Sequence, residues 1–130
     1  MEWRNLSWEQ KCIIANASEE SDLFATISSW NPDYRNDFRA DDVDRLRDAV
    51  LTLVDEGIVE ASPWTTDPKE PQFDRTELAA VLSNPRVWWN DGEPLEDVVW
   101  LVLSKKGNEL LAKADASELR LFWEGNFRRS

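Results

Sequence analysis

The residues of this chain with the means to do chemistry are its carboxylates. Asp and Glu make up 26 of 130 residues, against 15 Lys and Arg, one Cys and no His. They include close pairs: Asp41-Asp42, Glu96-Asp97, and Asp91 with Glu93. Neighbouring carboxylates serve acid–base catalysis when burial or mutual repulsion pushes their pKa values apart. They hold a hard cation when oxygen ligands recur at regular spacing. Nothing in the sequence marks these pairs as buried, and Asp91-Gly92-Glu93 lacks the ligand rhythm of an EF-hand loop. Without histidine there is no Ser/His/Asp or Cys/His arrangement, and no imidazole or thiolate metal cage. The four glycines are scattered and form no phosphate-cradling loop. The expectation is a protein that is not an enzyme and carries neither metal nor cofactor, its carboxylates solvated.

The overall charge narrows the partners. A formal charge of −11 argues against nucleic acid, because phosphate binding draws its affinity from Lys and Arg. The same charge argues against anionic membrane surfaces. The acid is concentrated between residues 41 and 97, whereas 98–130 is mildly basic. With 42% apolar and 32% charged residues, the composition is that of an ordinary globular chain, long enough for a single domain over 1–130 with one core. No apolar run approaches the roughly 18 residues a membrane helix needs. Met1-Glu2-Trp3-Arg4 lacks the apolar core of a secretion signal. The single Cys12 excludes an internal disulfide and suits a cytoplasmic location. Eight tryptophans are a heavy aromatic load, most of them expected in the core.

The elements that must position these carboxylates follow from periodicity and caps. Ser7 with Gln10 three residues later forms a capping box for a first helix, with Cys12 and Ile13 on its buried side. Ser18 to Asp22 reads as the start of a second helix, whose stripe is Leu23, Phe24, Ile27 and Trp30. Asn31-Pro32 ends it. Residues 31–40 are polar, with Tyr34 and Phe38 four apart, and fit either a helical turn or a loop. The firmest helix runs from Asp41 to Glu56, with Val43, Leu46, Ala49, Val50, Leu53 and Val54 on one face. On the opposite face Asp41, Asp44, Asp48 and Asp55 share an arc of about 60°. Gly57 stands at the position of a Schellman cap, and Ile58 supplies the apolar residue after it. Residues 58–61 continue as a short strand.

Beyond it, 62–73 is proline-rich and reads as an extended loop. Asp74 and Glu77 cap another helix, with Leu78, Val81 and Leu82 inward, and Ser83-Asn84-Pro85 closes it. Val87-Trp88-Trp89 reads as a brief strand, and 90–94 as a turn. Val98 to Leu103 is the strongest strand. Ser104 caps a helix with Leu110 and Leu111 inward. A last helix from Ser117 to about Glu124 offers Leu119, Phe122 and Trp123 to the core, and 125–130 is a frayed tail.

Two blocks, L-x-x-x-V-x-x-L-V-D-E-G-I-V over 46–59 and L-S-K-K-G-x-E-L-L over 103–111, resemble the winged helix-turn-helix superfamily. The resemblance implies an α+β, winged-helix-like fold with about five helices and a small antiparallel sheet. The helix at 41–56 would correspond to the recognition helix. Strands 58–61 and 98–103 would form the wing, and Ser104-Lys105-Lys106-Gly107 would start the helix after it. The chain departs from the family pattern in three places. Residues 31–40 make a poor preceding helix, a 36-residue insertion at 62–97 carries its own helix inside the wing, and the recognition face is acidic. A DNA-reading helix needs Arg, Lys, Asn or Gln toward bases and phosphates.

Two surfaces carry the binding hypotheses. Asp41, Asp44, Asp48 and Asp55 form either an ordinary charged face, paired with Arg45 and Arg47 at helical spacing, or a docking surface for a basic partner. Trp88 and Trp89 either pack inward or, beside Asp91, Glu93, Glu96 and Asp97, make an aromatic hot spot in an acidic rim. The functional expectation is a protein-binding domain, in one concrete form an immunity or antitoxin protein that occludes a basic, nucleic-acid-handling toxin. The competing reading is a winged-helix transcriptional regulator presenting Arg35, Arg39, Lys105 and Lys106 to DNA. A third is a structural or accessory domain of a larger assembly.

Overall fold

A computed structural model of the chain describes residues 1–23, 40–63, 73–84, 87–88 and 99–122. Where the sequence offers a side-chain cap, a helix begins. The Ser7 hydroxyl accepts from the Gln10 amide at 3.1 Å and the Gln10 side chain accepts from the Ser7 amide at 2.9 Å, a complete capping box at the head of α1, Trp8–Ser18. Cys12 and Ile13 are fully buried on this helix, as its pattern predicts. Helix α2 spans Ala40–Asp55. Asp74 and Glu77 make a second capping box, for α3, Arg75–Leu82. Ser104 caps α4, Lys105–Ala112, by accepting from the Gly107 amide at 3.0 Å. The last helix, α5, Ala116–Leu121, starts a residue earlier than the sequence suggests. Its cap is Asp115, which accepts from the amides of Ser117 and Glu118.

The chain between α1 and α2 corrects one expectation. Ser18 to Asp22 is not itself the first turn of a helix; the next helical residue is Leu23. Ser18 closes α1, Glu20 takes a left-handed φ of 53°, and Ser21–Asp22 form a short strand, β1. That reversal redirects the backbone from the helix onto the sheet. Leu23, buried directly after it, is the inward residue the apolar stripe called for. The rest of that stripe, and residues 31–39, lie outside the described residues.

Helix α2 buries Val43, Leu46, Ala49, Val50 and Leu53, with Val54 half-buried. Its end is the Schellman turn that Gly57 promises. The Ile58 amide donates to the Leu53 carbonyl at 2.9 Å and the Gly57 amide to the Val54 carbonyl at 3.0 Å. Gly57 takes the φ of 73° that this turn needs and that side chains resist. Strand β2, Val59–Pro63, follows and runs two residues further than the sequence implied. Its proline sits at the strand's end, where a missing amide costs the ladder little.

Strand β3, Val99–Leu103, is the middle of a three-stranded antiparallel sheet ordered β1-β3-β2. Val59 lies opposite Leu103 and Pro63 opposite Val99, so the antiparallel pairing expected of the two strands forms. Residue 98 lies outside the described residues. On the other edge Ser21 pairs with Leu101 and Asp22 with Trp100, a partnership the sequence did not announce. Val59, Ala61, Val99 and Leu101 turn one face of this sheet inward, and α1 packs against both α2 and β3. Among the described residues the architecture is α+β, with five α-helices and one small antiparallel sheet.

Aromatic packing ties the first turn to the last helix. The Phe122 ring meets Trp3 edge-on, with centroids 5.2 Å apart at 89°, and lies 5.1 Å from Trp8. Trp3 and Trp88 are buried in the core, as the heavy aromatic load suggests. Among the described residues Trp88 is the largest of the fully buried side chains, and its indole Nε1 donates to the Leu82 carbonyl at 2.8 Å. Val87 and Trp88 form a helical turn after α3, not the strand the sequence suggested. The Val87 amide donates to the Asn84 carbonyl at 3.1 Å, so this backbone folds on itself instead of joining a sheet.

Candidate functional site

The candidate site is the outward face of α2. Burying Val43, Leu46, Val50 and Leu53 leaves the opposite side of the helix in water, which fixes where its aspartates point. The Asp44 and Asp48 side chains are 60% and 71% exposed. Asp55 is half-exposed at the helix end. Asp41 lies in the first turn of α2, and its side chain is outside the described residues.

Three arginines border this strip. Arg47 stands between Asp44, at 3.2 Å, and Asp48, at 3.3 Å, so one guanidinium is shared by two carboxylates. The Asp44–Arg47 contact is the i,i+3 pair that helical spacing predicts. The same guanidinium donates to the Ser83 hydroxyl at the end of α3, at 3.4 Å. Arg45 takes a different route and pairs with Glu9 of α1. Asp55 is held by Arg75 of α3, through Nε at 2.8 Å and Nη2 at 3.3 Å. That hydrogen bond, with the attraction of the carboxylate, holds the Arg75 pKa above its ordinary value. The strip is therefore flanked by α1 on one side and α3 on the other, each tied to it through an arginine.

These cross-helix partners were invisible in the sequence. Arg75 sits 20 residues from Asp55, and Glu9 sits 36 from Arg45. No local spacing couples such positions. The i,i+3 and i,i+4 arithmetic reaches only pairs on one helix.

Trp88 leaves the candidate surface. Its ring is enclosed by the core and its one polar atom is satisfied within the chain, so it cannot serve as an exposed hot spot. Trp89, Asp91, Glu93, Glu96 and Asp97 lie outside the described residues, as do Arg35 and Arg39 of the DNA-binding alternative. Of the remaining basic pair, Lys105 is exposed, and Lys106 donates to the Glu56 carbonyl at 2.8 Å. Lys106 thereby caps the end of α2, where a cation meets the negative pole of the helix.

A concavity adjoins the face. An open groove of about 290 Å³ between the start of α1 and the middle of α2 is lined by Ser7, Glu9, Gln10, Arg45, Asp48 and Thr52. A cleft of about 170 Å³ lies elsewhere, between the first residues and the α4–α5 corner, lined in part by Trp3 and Leu110. Among the described residues no three His, Cys, Asp or Glu side chains converge as metal ligands. Among them, too, no helix is long and apolar enough to cross a membrane. The Cys12 thiol is pushed far up, first by burial and then by the charge of Glu9, which disfavours the nucleophilic thiolate. The chain matches no protein-family model, no curated protein sequence and no solved structure.

Proposed function

We propose that this chain is a non-catalytic, winged-helix-like binding domain that docks a basic protein through the outward face of α2. In its most concrete form it is an immunity or antitoxin protein covering the basic active site of a nucleic-acid-handling toxin. The observation that carries this reading is the exposure of Asp44 and Asp48 on one helix face of a chain charged −11. Complementary charge of that kind speeds encounter and fixes orientation. Arg47, shared between both aspartates, leaves the pair with a surplus negative charge.

The winged-helix part is supported by order and pairing. Helix α2 ends at Gly57, β2 pairs antiparallel with β3, and the Ser104 turn leads into α4. That layout is also what gives the DNA-binding alternative its basis, but charge and packing weigh against it. A recognition helix enters a major groove about 12 Å wide with basic or amide side chains foremost. Here the foremost side chains are carboxylates, and α3 is fastened to the helix flank through Asp55–Arg75.

The test is affinity capture from the cognate cell extract with the parent protein and the Asp44→Lys/Asp48→Lys variant, at low and high salt. The parent should retain a basic protein that is released as salt rises, and the variant should not retain it. Equal retention by the variant, or recovery of DNA instead, overturns the reading. Exposed ion pairs of this type contribute only about 0.5 kcal/mol, so matched thermal melts will separate lost binding from lost folding.

A further inference from the structure

We draw no further inference here: the strongest candidate, the groove between the start of α1 and the middle of α2 where Glu9 and Asp48 stand beside Arg45, is an acidic cluster on the flank of the face already proposed for docking, and nothing in the structure shows what would occupy it.

Discussion

Gly107 lies so close to the backbone of Ile58 that a Cβ placed on it would stand 2.2 Å from the Ile58 carbonyl oxygen. The same carbonyl accepts from the Ser104 amide and hydroxyl, both at 3.0 Å. The Ser104 hydroxyl also bonds the Gly57 carbonyl, and Lys106 holds the carbonyl of Glu56. Ser104 and the first turn of α4 thus satisfy three successive carbonyls left open where α2 turns into β2. That satisfaction matters because unpaired backbone acceptors at a packed helix end are costly.

Gly107→Ala should therefore be among the most damaging small substitutions in the chain. The obstacle is backbone and cannot swing aside, so the loss should reach or exceed the upper end of the usual range for overpacking, about 3 kcal/mol. Gly57→Ala makes the contrast. Nothing lies within 4 Å of the place its methyl group would take, and only the left-handed φ opposes it. That conformation alone costs about 1–2 kcal/mol. Chemical denaturation of both variants checks the order, and a milder Gly107→Ala would refute the close approach.

Trp88→Phe keeps most of the buried ring volume but removes the donor to the Leu82 carbonyl. Losing that bond in a dry site should cost about 1–3 kcal/mol, with a further loss from the smaller ring. The measurable signature is a lower denaturation midpoint with an unchanged slope. A neutral outcome would mean the indole is not enclosed.

Stability should fall in acid through two helix caps. Hydrogen bonding from the Glu77 amide depresses the Asp74 pKa; bonds from the Ser117 side chain and the Ser117 and Glu118 amides depress that of Asp115. A carboxylate whose folded pKa lies below its unfolded value stabilises the fold above the unfolded pKa, about 3.9. That contribution is lost as pH falls through the folded value. Asn keeps a cap's acceptor while removing its charge. The Asp74→Asn/Asp115→Asn protein should accordingly lose less stability than the parent between about pH 4 and pH 2, as followed by circular dichroism. Parallel curves would show that these caps do not titrate with folding.

Cys12 should resist alkylation in the native protein at about pH 8 and react promptly in denaturant. Its thiol is fully buried, and burial together with Glu9 opposes ionisation. Rapid native-state labelling, read by mass spectrometry, would place Cys12 in an opening part of the fold.

What the sequence made legible was local. Ser7, Asp74, Ser104 and Gly57 each announce an element boundary through a side chain or backbone freedom that acts within a few residues, and each boundary forms as read. The apolar stripe of α2 likewise fixes which of its sides is buried. Contacts that join distant segments left no such trace. Nothing near Ser21 signals that it will pair with Leu101, and acidic first-turn logic placed a helix start there, ahead of the helical Leu23. At the candidate site the exposure of Asp44 and Asp48 followed from helical period alone. The tethers Glu9–Arg45 and Arg75–Asp55 did not, because they depend on how helices meet. Trp88 illustrates the remaining ambiguity: a tryptophan beside acids fits a rim or a core equally well until its packing is known.

The β1-β3-β2 strand order has a consequence for how this chain comes into being. On the ribosome the two outer strands are made first, and the strand that joins them arrives only after the whole of α3 has been added. Until residues 99–103 emerge, β1 and β2 have no ladder partner from this sheet. Unpaired strand edges of that sort are where nascent chains stick to one another. Folding of this sheet must therefore wait for its centre, and slowing synthesis ahead of Val99 should prolong the interval in which the chain needs a chaperone.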